Sequence, residues 1–122
     1  MSDPKYSFKD GDLIHEDGYT VPRDEPLMIF RGKDIGALSA IVDYIEMLED
    51  QIPMTPTIVS HIASASERLV AFYLYQYNNK HLQSVGCSQR SHTDSIYFMK
   101  RAKAKIEELN IDLNEKHGDK DE

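Results

Sequence analysis

Two prolines three residues apart, Pro53 and Pro56, split the longest helix-like stretch of the chain into two. Pro53 has no amide hydrogen and clashes with a preceding turn, so a helix arriving from the N-terminal side must end before it. Thr55 followed by Pro56 is the opposite signal: a hydroxyl that can cap, then a proline at the first helical position, where the missing N–H costs nothing. Upstream of the break, Ile35, Leu38, Ile41, Val42, Ile45 and Leu48 recur on one helical face behind Asp34, a good N-cap. Downstream, Ile58, Val59, Ile62, Ala65, Leu69, Val70, Phe72 and Tyr73 spread over more than one stripe, up to about Tyr77. That second helix is expected to touch neighbours on two sides, and in a chain this short another subunit is a candidate for one of them.

A third helix is expected from Ser91, with Asp94 three residues on as a capping-box variant, to about Leu109. Its predicted buried stripe is Ile96, Met99, Ala102, Ile106 and Leu109, with Lys100, Arg101, Lys103 and Lys105 mostly off it. Before the helices, Asp12-Leu13-Ile14-His15, Asp17-Gly18 and Tyr19-Thr20-Val21 read as a short hairpin, because Asp-Gly supplies the positive φ of a tight turn. Leu27-Met28-Ile29-Phe30 is an apolar run too short for a helix and is predicted as a buried strand ending at Arg31. Residues 1–11 and 112–122 are polar and charged and are expected to be flexible tails. The fold class is therefore α+β: a small N-terminal antiparallel β element followed by three helices, in a single domain of 122 residues.

Fourteen Lys and Arg stand against 21 Asp and Glu, a net charge of −7 that disfavours nonspecific nucleic-acid binding as the main task. The single cysteine, Cys87, allows no intrachain disulfide framework and no thiolate zinc cluster, and it points to a reducing, cytoplasmic compartment. No apolar run approaches the length of a membrane span, and the N-terminus does not read as a secretory signal. Local charge is more informative than the total. Residues 80–105 hold six basic side chains and one acid, a local +5 in a chain that is otherwise −12. A confined basic segment in an acidic protein fits a local anion site. Solvated lysines complementing a helix C-terminus are the plainer reading, and Lys103 and Lys105 fit it well.

Arg90 and Arg101 differ from the lysines because a guanidinium holds two phosphate oxygens at once. Arg90 precedes the predicted third helix, whose free first-turn amides, with Ser91, His92 and Thr93, would face the same anion. Arg31-Gly32-Lys33, between the predicted strand and first helix, is a second phosphate-binding candidate, with an ordinary solvated turn as the alternative. Phe72, Tyr73 and Tyr97 are the candidates for stacking on a base, core or interface packing being the alternative. The five histidines show no zinc-binding spacing, and Ser91, His92 and Asp94 sit too close in one helical turn to form a hydrolytic relay. Neither metal, cofactor nor catalysis is expected.

The N-terminal β element ending in Leu27-Met28-Ile29-Phe30-Arg31, the long helices after it and Arg101 on the last helix resemble the phage-encoded anti-Thoeris proteins that sequester cyclic ADP-ribose signals as sponges. The resemblance covers roughly residues 12–109 and is architectural. It implies a homodimer or higher homo-oligomer built through the helices, and a small anionic nucleotide held without degradation. It also implies Arg31 and Arg101 as phosphate clamps, with the segment around Arg90 as a pocket wall. Two readings from other classes compete with it. One is an acidic homo-oligomeric interaction module that inhibits a host protein; the other is a helix-based DNA binder using Lys100 to Lys105, which the net charge disfavours.

Overall fold

The computed structural model describes residues 6–82, 84–85, 88–89 and 92–113, with side chains for 6–81 and 96–113. It contains a two-stranded antiparallel sheet at the N-terminus and three helices, an α+β arrangement. Strand β1 (Tyr6–Lys9) pairs with β2 (Asp12–His15) in the register Tyr6 opposite His15 and Lys9 opposite Asp12. Asp10 and Gly11 connect them with φ of 53° and 84°, the two positive angles that a tight hairpin needs.

This hairpin corrects the sequence reading at one point and extends it at another. Residues 6–9 were placed in a flexible tail but form β1. The expected Asp17-Gly18 turn is present as well, joining β2 to residues 19–21, and Asp10-Gly11 adds a longer hairpin before it, so the chain carries the same dipeptide signal twice. At the second turn Gly18 has a φ of +97°, and the chain that follows returns only far enough for a single bridge, Ile14 with Thr20. Val21 donates to the Leu13 carbonyl at 2.8 Å and closes that return.

Residues 27–30 are a second correction. The apolar run is irregular and exposed where a buried strand was expected, with Leu27 at 55%, Met28 at 79% and Ile29 at 73% exposure. A strand needs a partner. The far side of β2 is already bridged by Thr20, and residues 27–30 pair with neither β1 nor β2.

Helix α1 (Ile35–Glu49) begins where expected, with Asp34 Oδ1 accepting the Gly36 amide at 2.9 Å, and stops before Pro53. Helix α2 (Pro56–Asn78) is capped by Thr55, whose hydroxyl accepts the Ile58 amide at 3.2 Å. Between α2 and the third helix the chain forms a 3₁₀ turn (Lys80–Leu82) and two short strands, β3 (Ser84–Val85) and β4 (Ser88–Gln89). Helix α3 (His92–Glu108) follows. The proposed Ser91 cap lies outside the described residues.

The end of α3 is a Schellman motif. Asn110 takes the left-handed conformation (φ 63°) and donates to the Glu107 carbonyl, and Ile111 donates back to the Ile106 carbonyl at 3.3 Å. Ile111 and Leu113 then fold against the core.

Helix α1 packs against both α2 and α3, which meet each other over a shorter stretch. Leu38, Val42 and Ile45 of α1, Leu69, Val70 and Tyr73 of α2, and Ala102 and Ile106 of α3 form the core. Two expectations for α3 are corrected: Ile96 is 43% exposed rather than in the stripe, and Lys105, expected in solvent, is only 4% exposed. No extensive packing joins β1 or β2 to a helix, and this separation leaves the concavities described next.

Candidate functional site

Three charged or polar side chains lie between the helices, Lys105 and Gln76 buried and Arg101 27% exposed, and their partners define what the basic segment can do. Arg101 donates to the Ser39 hydroxyl and to Asp43 Oδ1, both at 2.5 Å, and lies 3.5 Å from Glu46. The hydrogen bond to Asp43 raises the Arg101 pKa further above its already high value, against the opposing effect of burial. Lys105, one turn on, places Nζ 2.7 Å from Glu49 and 2.9 Å from Glu108. Burial alone would lower its pKa, but the hydrogen bonds it donates to these two carboxylates, with their charge, outweigh that and raise it. Asp43, Glu46 and Glu49 recur every three residues along α1, so both cations of α3 answer an acidic row on its neighbour.

The third is Gln76, fully buried on α2. Its amide nitrogen donates to the Gly32 carbonyl at 2.9 Å and the Asp34 carbonyl at 3.0 Å. It thereby fixes the turn that leads into α1. Gly32 itself lies against the Tyr75 ring, where an added Cβ would come within 3.2 Å of the ring.

Between the hairpin and the helices lie two adjoining clefts. The first, about 550 Å³, is walled by Tyr6, His15 and Tyr19 on one side and by Tyr44, His61 and Arg68 on the other. The second, about 900 Å³, shares Tyr6, Phe30, Ile41 and Arg68 with it and extends along Phe8, Met28, Phe72 and Tyr75. On α2, His61, Ala65, Arg68, Phe72 and Tyr75 follow at helical spacing and so present one row to this space. The His15 ring is held edge-on to Tyr6 at 4.9 Å and stacked on Tyr19 at 4.7 Å. Its Nδ1 accepts the Asp17 amide at 3.1 Å, so in the neutral ring the hydrogen is on Nε2. The Arg68 guanidinium lies 5.8 Å from the centroid of the Phe72 ring. In a chain of net charge −7, no carboxylate of the described residues lines either cleft.

The predicted site residues fall in different places. Phe72 lines the larger cleft; Arg31, Lys33, Tyr73, Tyr97 and Arg101 line neither. Arg31 is exposed and Lys33 half-buried on the turn before α1, while Tyr73 is in the core and Tyr97 is 61% exposed. Burial, reinforced by Tyr77 and Glu107, raises the Tyr73 pKa. Arg90, Ser91 and the His92 side chain lie outside the described residues. Tyr6, His15, Tyr19, His61 and Arg68 were not picked out from the sequence, because they come from two distant segments that only the fold brings together. The available signal was the α2 row, where Arg68 stands among apolar and aromatic residues.

Among the described residues there is no group of three or more His, Cys, Asp or Glu that could hold a metal ion, and no helix is long and apolar enough to cross a membrane. Compared with known proteins, the chain matches no family model, and no curated protein and no solved structure is similar to it.

Proposed function

We propose that the protein captures a small cyclic nucleotide signal, a cyclic ADP-ribose isomer or a cyclic oligonucleotide, and holds it intact as a phage anti-defence sponge. The observation that carries this reading is the ring-walled cleft around Arg68, which no carboxylate of the described residues lines although the chain is acidic. The ligand class comes from the architectural resemblance. A cleft of about 550 Å³ is within the ordinary size of a small-molecule site, and rings beside a guanidinium suit a planar base joined to phosphate. Arg68 then takes the phosphate role, with Tyr6, Tyr19 and Tyr44 as stacking surfaces. Of the two clamps the resemblance implies, Arg31 is exposed and lines neither cleft, and Arg101 already has carboxylate partners, so neither carries this reading.

The mechanism needs no chemical step: the ligand is desolvated, neutralised and released slowly. Calorimetry with cyclic ADP-ribose isomers and cyclic oligonucleotides should detect saturable binding, and mass spectrometry after heat release should recover the ligand unaltered. Arg68→Ala should weaken binding by at least about tenfold, the scale of one lost charge-assisted contact. Absence of binding to all of these ligands overturns the reading, and a hydrolysed product overturns its non-catalytic part.

The alternative, an acidic module that binds a host protein, is favoured by the exposed apolar residues 27–29. Substitutions in the acidic surface would then abolish inhibition while Arg68→Ala would not.

A further inference from the structure

Residues 27–30 carry the composition of a strand without the surroundings of one. Leu27, Met28 and Ile29 are more than half exposed, and the backbone groups of these four residues make no hydrogen bond among the described residues. Exposed apolar side chains beside unpaired amides and carbonyls form a template for another strand. We propose that residues 25–31 pair antiparallel with the same segment of a second copy of this chain, across a two-fold axis at Met28.

The charges choose a second copy as the occupant. Asp24 and Glu25 precede the apolar run; Arg31 and Lys33 follow it. An antiparallel pairing of the segment with itself sets the acidic end of each copy against the basic end of the other. With the axis at Met28, Leu27 faces Ile29 and Glu25 faces Arg31, so each apolar and each charged contact occurs twice. A parallel pairing would put like charges side by side, and a generic hydrophobic partner would leave both charged ends unanswered.

The area is adequate. Phe8, exposed on β1, extends the run into an apolar patch on the order of 400 Å², the core of an interface that typically covers about 800 Å² per partner once its polar rim is added. Met28 and Phe30 also line the larger cleft, so pairing would bring the second copy's loop to its rim. The inference stands independently of the ligand reading, because its readout is association alone.

Sedimentation velocity of the full chain from about 1 to about 300 µM should show a monomer–dimer equilibrium. Met28→Asp and, separately, Ile29→Glu should raise the dissociation constant at least about tenfold while circular dichroism melts stay unchanged, since both side chains are exposed in one copy. Glu25→Arg should weaken the dimer, and combining it with Arg31→Glu should restore it. A monomer throughout the range overturns the proposal, as does a dimer indifferent to both apolar substitutions, which would place the contact on another face. Loss with Met28→Asp but no rescue by the charge exchange overturns the Met28-centred register.

Discussion

Lys105 illustrates how a single residue's role is decided by its neighbours. Its stem lies beside Ala102 and Ile106, both fully buried, while its ammonium reaches Glu49 and Glu108. Lys105→Ala should lower unfolding free energy by about 1–2 kcal/mol, since the acceptors are themselves well exposed and solvent weakens the pairs. Lys105→Met should recover part of this by keeping the stem. The folded-state pKa is raised, so the stabilisation is complete below the unfolded lysine value and is lost as pH rises through the folded one. Denaturation midpoints should therefore begin to fall only as the pH rises above about 10, and Lys105→Met should reduce that fall. Tyr73, also raised, contributes in the same window and accounts for what remains in the variant. From the sequence, Lys105 is one of several lysines on an amphipathic helix. Nothing local to α3 reveals the acidic row on α1 that receives it.

At the scale of elements, termini were legible where a few adjacent residues settle the matter. The Asp34 and Thr55 caps and the Pro53 stop depend on side chains within four residues of the backbone groups they serve. The Schellman end of α3 is of the same kind. Asn110→Ala should cost about 1 kcal/mol in chemical denaturation, because Ala lacks the short polar side chain that lets Asn tolerate a φ of 63°, whereas Asn110→Gly should be neutral or stabilising. Strands were less legible. The alternation of Tyr6-Ser7-Phe8-Lys9 was submerged in a charged terminus, and the four apolar residues at 27–30 met the composition of a strand without a partner among the described residues. Pairing is a property of two segments, and one segment cannot specify it.

At the scale of the whole molecule, the helices form the stable body and the hairpin lies across a cleft from it. Gln76 ties the turn before α1 to α2 through two carbonyls. Gln76→Leu would leave both without that donor and should destabilise the protein by about 2 kcal/mol. With little packing between β1 or β2 and any helix, the hairpin should open without global unfolding. In hydrogen exchange, the amides of β1 and β2 should lose protection at lower denaturant than those of Val42 and Ile45; equal protection would refute this separation. The residues proposed to hold a ligand lie across the same gap. This explains why they were invisible as a motif: no spacing in the sequence links Tyr6 and His15 to His61 and Arg68.

The sequence by itself determined the three helices, most of their ends and the apolar stripe of α1, because helical hydrogen bonds, caps and side-chain periodicity all act within a turn or two of chain. It also determined the α+β class, through the turn chemistry of Asp-Gly. Tertiary structure alone decided which charges are internal, which apolar run lies open, and which rings share a cleft with Arg68. Those outcomes depend on which surfaces meet after the helices pack, and the free energy of a buried charge or an exposed side chain is set by that meeting rather than by its neighbours in sequence.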